Sequence, residues 1–256
     1  MAASDPLVPL NSGNGGPPLF IAHGIGGSVS DLIPLAMRLG LNRLVYGLQT
    51  RGNDGNEDPL DRIEDMAEYF LDAVRRHKVR GPYLLVGYSL GGLVTLEMAQ
   101  RLRAEGEQVA LLVMLDSYPD RHHLSLTEYA RLATRLAKRR VIGWMAPSRT
   151  DSNVGSIGDK DSGRTQSVLT ESRQPVKEAQ YKALRNYRPR FYDGDVKFVR
   201  AAIPTNFPAN PMPVWAHLVR KFDVETVPGN HLELLTKHVD AVAEIVSRHV
   251  REAGGD

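Results

Sequence analysis

Short apolar runs alternate along this chain with longer stretches whose apolar residues fall at helical spacing. Continuous runs such as Leu84-Leu85-Val86 and Val109 to Leu115 read as strands buried on both faces, the pattern of a parallel sheet. Core strands are predicted at Leu19–Ala22, Leu44–Leu48, Tyr83–Tyr88, Val109–Leu115, Val196–Ala201 and Asp223–Val227. A further piece, Leu7–Leu10, is expected to pair with Leu19–Ala22 through the intervening Asn-Ser-Gly-Asn-Gly-Gly turn. Ile63, Met66, Ala67, Phe70, Leu71 and Val74 make one helical stripe, and Leu235, Val239, Val242 and Val246 make another in the last helix. A third helix is expected from Leu90 to the neighbourhood of Gly106. Strands alternating with crossover helices predict an α/β architecture, a mostly parallel central sheet with helices on both faces.

The alternation breaks between Ser117 and Arg190, a stretch too long for an ordinary connection. Its first part, Thr127–Trp144, reads as helical and basic, and its last part, Glu178–Tyr187, as helical again. The middle, Arg149 to Pro175, is rich in Ser, Gly, Asp and Thr, poor in apolar residues, and expected to be mobile. The whole reads as a helical lid over positions 118–190, inserted into one domain that spans 1–256.

Composition narrows the function classes. Lys and Arg total 32 against 30 Asp and Glu, so no concentrated basic surface argues for nucleic acid. Cysteine is absent, which excludes disulfides, thiolate metal sites and a cysteine nucleophile. The longest apolar run, Val109–Leu115, is far shorter than a membrane span. Met1-Ala2-Ala3-Ser4-Asp5 does not open a secretory signal, and the expected compartment is the cytoplasm.

Candidate chemistry centres on Gly87-Tyr88-Ser89-Leu90-Gly91-Gly92, a G-x-S-x-G pattern between a predicted strand and a predicted helix. The glycines let strand and helix approach closely around a strained serine, and the helix N-terminus favours developing negative charge. A serine hydroxyl needs a positioned base. Of the eight histidines, His231 follows the last predicted strand and precedes the closing helix, where this arrangement puts the base. His238 and His249 are expected inside that helix as surface residues, His77 at a helix end, and His122 and His123 at the lid entrance. The acid is expected at Asp116, directly after Val109–Leu115, because no carboxylate follows Val196–Ala201 until Asp223. The order Ser…Asp…His is that of the α/β-hydrolase fold. Oxyanion donors are expected at the Leu90 N–H and, from His23-Gly24-Ile25-Gly26-Gly27, at the Ile25 N–H, with Gly24 as the alternative. That loop lacks the spacing of a phosphate-binding loop, and no metal or diffusible cofactor is expected.

These residues resemble the type I thioesterase domains that end polyketide, nonribosomal-peptide and fatty-acid synthases. The likeness runs from Leu7 to Val250. It rests on Pro18-Leu19-Phe20-Ile21-Ala22-His23-Gly24-Ile25-Gly26-Gly27, on Val45-Tyr46-Gly47-Leu48-Gln49 with Arg51-Gly52, and on Gly81 to Gly92 around Ser89. Leu115-Asp116-Ser117, Tyr187-Arg188-Pro189-Arg190 and Val227-Pro228-Gly229-Asn230-His231 complete it. Editing thioesterases of the same superfamily usually read Pro-Gly-Arg after the second strand and His-Ser-Met at the elbow. Here Gly47-Leu48-Gln49 and Tyr88-Ser89-Leu90 stand there, nearer the synthase-terminal type. Asn230 departs from the aspartate that often precedes the family's histidine, and the lid matches poorly.

The resemblance implies an acyl, peptidyl or polyketide chain arriving as a thioester on the phosphopantetheine arm of an acyl- or peptidyl-carrier protein. It passes to Ser89 and leaves by hydrolysis or cyclisation. The alternatives are a carboxylesterase or amide hydrolase on the same residues, an editing thioesterase, and a binding protein that has kept the fold without turnover. Arg131, Arg135, Lys138, Arg139 and Arg140 read either as a docking surface for an anionic carrier protein or as a solvated helix face.

Overall fold

The structure, a computed structural model, describes residues 5–145 and 173–254, and for 138–145 the backbone only. Among these, seven strands form one sheet: β1 (Leu7–Pro9), β2 (Leu19–Ala22), β3 (Val45–Leu48), β4 (Tyr83–Tyr88), β5 (Val109–Leu115), β6 (Tyr192–Ile203) and β7 (Val219–Asn230). Their order is β1-β3-β2-β4-β5-β6-β7. Every neighbouring pair is parallel except β1 with β3.

The pairing of β1 corrects the expectation from sequence. Leu7 stands opposite Leu48 and Pro9 opposite Tyr46, so the first strand pairs with β3 and not with β2. The reason is that β2 is bonded on both sides, to β3 and β4, and has no open edge. Asn11 ties the chain after β1 to the start of β3. Its Nδ2 donates to the Arg43 carbonyl at 2.9 Å and its Oδ1 accepts from the Val45 N–H at 2.9 Å. Pro9, which has no N–H to give a ladder, fits an edge strand.

Alternate residues of each apolar run enter opposite layers, which is why the runs are unbroken. Leu84, Val86, Ile21 and Val113 pack with α1 (Ile33–Arg38) and α6 (Val239–Gly254). Leu85, Phe20, Leu112 and Met114 pack with α2 (Ile63–Arg76) and α3 (Leu90–Ala104). All six residues of the α2 stripe are buried, and truncating Leu71 to alanine would cost about 2–5 kcal/mol.

β6 and β7 are longer than their predicted cores because polar residues continue both strands. Only every second position of β6 is buried at its start, and β7 lies at the sheet edge with Arg220, Lys221, Asp223 and Glu225 along it, as edge strands commonly do. The last helix begins at Val239, so Leu235 joins its core from the preceding turn and His238 lies before the helix. His249 is within the helix but buried, another correction. Its Nε2 meets Glu225 at 2.7 Å and its Nδ1 meets Glu252 at 3.1 Å, two carboxylates that make burial tolerable.

Between β5 and β6 lie α4 (Leu126–Met145) and α5 (Gln174–Asn186), near the two helices predicted there. α5 starts earlier than expected, with Pro175 in its first turn, where a missing N–H costs nothing. The rest of the segment expected to be mobile, 149–172, lies outside the described residues. Tyr187 and Arg190 close the insertion against α3. The buried Tyr187 hydroxyl donates to Glu97 Oε2 at 3.1 Å, and Arg190 reaches Glu97 Oε1 at 3.2 Å. Among the described residues no helix is long and apolar enough to cross a membrane.

Candidate active site

Ser89 stands alone between the last residue of β4 and the first of α3, at φ 55° and ψ −120°. That conformation is costly for a residue with a Cβ and persists only where the surroundings enforce it. Two glycines allow it. A Cβ on Gly87 would meet the backbone of Gly91 and Gly92, and one on Gly91 the carbonyls of Ala22 and His23. The turn is also tied to the neighbouring strand end. The Ser89 N–H donates to the Leu115 carbonyl at 2.9 Å, and the Ser117 hydroxyl donates to the Ser89 carbonyl at 2.6 Å.

Asp116 leaves β5 with φ 47° and is 5% exposed. Its N–H donates to the Val199 carbonyl at 2.7 Å, and its Oδ1 accepts from the Ala201 N–H at 3.2 Å. Oδ2 is thereby aimed at His231 Nδ1, 2.8 Å away. His231 opens a single 3₁₀ turn directly after β7. Asn230 caps that turn: its Oδ1 accepts from the Leu232 N–H at 3.0 Å, and Glu233 Oε2 accepts from the Asn230 amide at 2.7 Å. An asparagine here therefore keeps the capping function that an aspartate would supply. His231 Nε2 lies 3.1 Å from Ser89 Oγ, across 142 positions of sequence. An ionised carboxylate only accepts, so Nδ1 carries the proton and the Nε2 lone pair faces the hydroxyl. Ser89, His231 and Asp116 are thus brought into one hydrogen-bonded line.

The imidazole is enclosed by rings that pattern reasoning missed. Tyr88 stacks on it at 4.9 Å between centroids, and Phe207, in the connection after β6, packs at 4.8 Å. Tyr118 stacks in turn on Phe207 at 5.3 Å. Burial pushes the Tyr88 and Tyr118 phenols well above their ordinary range, so both stay neutral. Tyr88 could have been noted from its place beside Ser89. Phe207 lies in the irregular connection after β6 and had no periodic signal.

The loop after β2 abuts the nucleophile: a Cβ on Gly24 would lie 3.1 Å from Ser89 Cβ. The Leu90 N–H begins α3 and has no intrahelical acceptor. The Ile25 N–H likewise has no acceptor among the described residues. An open cavity of about 1770 Å³ runs over this loop and over Tyr88, Ser89 and His231, with Leu136 and Leu184 of the insertion on its wall.

The other candidates are dispersed. His77 pairs with Asp5 at the surface, His123 donates to the Arg185 carbonyl at 2.8 Å, and His217 is exposed. Of the basic group on α4, Arg131 pairs with Glu128 and Arg135 donates to the Phe207 carbonyl. The side chains of Lys138, Arg139 and Arg140 lie outside the described residues. Among the described residues no three His, Asp or Glu side chains converge to hold a metal.

Comparison with known proteins places the chain in a family. A thioesterase-domain family model matches residues 17–250. A dimodular nonribosomal peptide synthase of Bacillus subtilis is 41% identical over 127 residues, covering 50% of this chain and 5% of that protein. The chain thus spans a small part of the curated relatives it matches. The RedJ thioesterase of the Streptomyces coelicolor prodiginine pathway superposes with TM-score 0.63 at 27% identity, over 91% of this chain and 90% of that one. The type II thioesterase BorB of the borrelidin cluster superposes at 0.70 with 22% identity, over 98% and 100%. The fold is the α/β-hydrolase fold of these domains. The chain belongs to the thioesterase domain family.

Proposed function

We propose that this protein is a serine-dependent thioesterase that releases a biosynthetic acyl, peptidyl or polyketide chain from the phosphopantetheine thioester of a carrier protein. The observation that carries the proposal is the unbroken relay from Asp116 Oδ2 to His231 at 2.8 Å and from His231 to Ser89 Oγ at 3.1 Å.

In the first half-reaction Ser89 Oγ attacks the thioester carbonyl and His231 Nε2 takes the hydroxyl proton. Negative charge develops on the carbonyl oxygen, where the N–H groups of Leu90 and Ile25 receive it. The C–S bond breaks and the pantetheine sulfur leaves, taking the proton from His231. A thiolate is a good leaving group, so this step asks little of the acid. In the second half-reaction water, or a hydroxyl or amine of the chain itself, attacks the acyl ester with His231 as base, and Ser89 recovers its proton. Asp116 holds the imidazole tautomer and offsets its positive charge. No metal or diffusible cofactor takes part.

Two further observations support a long carrier-borne substrate. Relatives include synthases such as the dimodular peptide synthase and the polyketide synthase PksR of Bacillus subtilis. The cavity bounded by the described residues, about 1770 Å³, also exceeds the roughly 300–1,000 Å³ of ordinary small-molecule pockets.

The test is incubation with acyl-carrier-protein thioesters and with matched oxygen esters, followed by peptide mapping. An acyl adduct on Ser89, absent in Ser89→Ala, together with faster thioester turnover, is expected. Labelling elsewhere would overturn the mechanism, and preference for the oxygen ester would overturn the substrate class.

A further inference from the structure

The turn that carries the Ile25 N–H is held from two sides. From within, Gly24 O accepts from His23 Nδ1 at 2.7 Å and from the Gly27 N–H at 3.1 Å. A carbonyl can only accept, so His23 carries its proton on Nδ1. In a trans peptide the C=O and the following N–H point in opposite directions. Fixing Gly24 O therefore fixes the direction of the Ile25 N–H.

The second hold comes from far along the chain. Gln180, on α5 of the insertion and 2% exposed, accepts the Gly26 N–H on its Oε1 at 2.6 Å across 154 positions of sequence. One turn earlier on the same helix, Lys177 lies across Gly26. A Cβ there would meet its Cγ at 2.6 Å and its Cδ at 2.9 Å, so the helix sits directly on the turn. Gly26 has φ +64°, a conformation that glycine adopts without strain. Two successive peptide planes are thus pinned, one by His23 and one by Gln180, and the Ile25 N–H belongs to the plane between Gly24 and Ile25.

We propose that Gln180 is a positioning residue for the oxyanion site: by holding the Gly26 N–H it pins the peptide plane directly after the Ile25 donor, keeps the turn from swinging that donor away, and makes acylation depend on where α5 sits. It touches no reacting atom. The inference rests on the thioesterase mechanism above for its catalytic consequence, and on geometry alone for the coupling of α5 to the turn.

Gln180→Met removes the acceptor at nearly constant volume, and Gln180→Glu keeps an acceptor in place. Gln180→Met is expected to lower kcat roughly 10- to 100-fold, somewhat less than deletion of an oxyanion donor, with KM within threefold. A boronate that mimics the tetrahedral oxyanion should lose affinity by the same factor, while a non-hydrolysable thioether analogue of the substrate binds as before. Gln180→Glu should recover most of the rate. Amide exchange at Gly26 should accelerate in Gln180→Met and not in Gln180→Glu. Unchanged kcat in Gln180→Met, loss of kcat without loss of boronate affinity, or a Gln180→Glu variant as slow as Gln180→Met would each overturn the proposal. So would unchanged exchange at Gly26. Exchange reads the coupling whether or not wild-type protein acylates Ser89, so failure of the proposed function is distinguished from failure of this inference.

Discussion

The Tyr88 hydroxyl donates to the backbone carbonyl of His231 at 2.8 Å while its ring lies stacked on the same residue's imidazole. The neighbour of Ser89 thus fixes both the ring and the backbone of the proposed base. Tyr88→Phe keeps the stack and deletes the donor, and should lower stability by about 1 kcal/mol, read by urea denaturation. Tyr88→Leu also removes the ring, and should lower kcat more than Tyr88→Phe does, because the imidazole gains freedom to turn. Equal rates for the two variants would show that the ring contributes nothing.

Asp116→Asn preserves shape but offers His231 an amide in place of a carboxylate. The expected loss is about 10⁴-fold in kcat, the scale of the corresponding change in serine proteases. Single-turnover acylation of Ser89 is the measurement. Near-normal rates would exclude Asp116 as the acid.

Gly91→Ala would drive a Cβ into the carbonyls of Ala22 and His23. Rigid backbone on both sides leaves little room for relaxation, and overpacking at such a contact should cost about 3 kcal/mol or more. The elbow should loosen as well, so Ser89 labelling in the folded fraction should fall with stability. A variant as stable as wild type would contradict the close approach.

His23 is buried, and burial holds its pKa below the ordinary 6.5 despite the Gly24 carbonyl and Asp31, with Arg173 adding to the depression. The folded state then binds fewer protons than the unfolded state between the two pKa values. Stability from this site is complete above pH 6.5 and is lost as pH falls through the folded value. Unfolding free energy should therefore decline below pH 6.5, and decline less steeply in His23→Asn, whose amide can still donate to Gly24 O. Parallel slopes in the two proteins would refute the assignment.

Much of this architecture is legible in the sequence itself. β2, β4 and β5 were legible because residues buried on both faces leave no polar gap, as in Leu84-Leu85-Val86. Ser89, Asp116 and His231 were legible because each follows a strand end, where chain order and turn chemistry are local. Contacts decided by tertiary neighbours were not. β1 chose β3 because β2 had no open edge, and His249 is buried because Glu225 reaches it from another element. Gln180 looked like any helix glutamine, since its meaning depends on Gly26, which lies far away in the chain.

The hydrogen bond between Gln180 and Gly26 also bears on how such domains can be recombined. An insertion transplanted between relatives to change product scope carries its own α5 onto the host's glycine turn. Such a chimera should reach the full rate only when the incoming helix supplies an acceptor at the position facing Gly26. Donor insertions can therefore be screened for that one side chain before any are built.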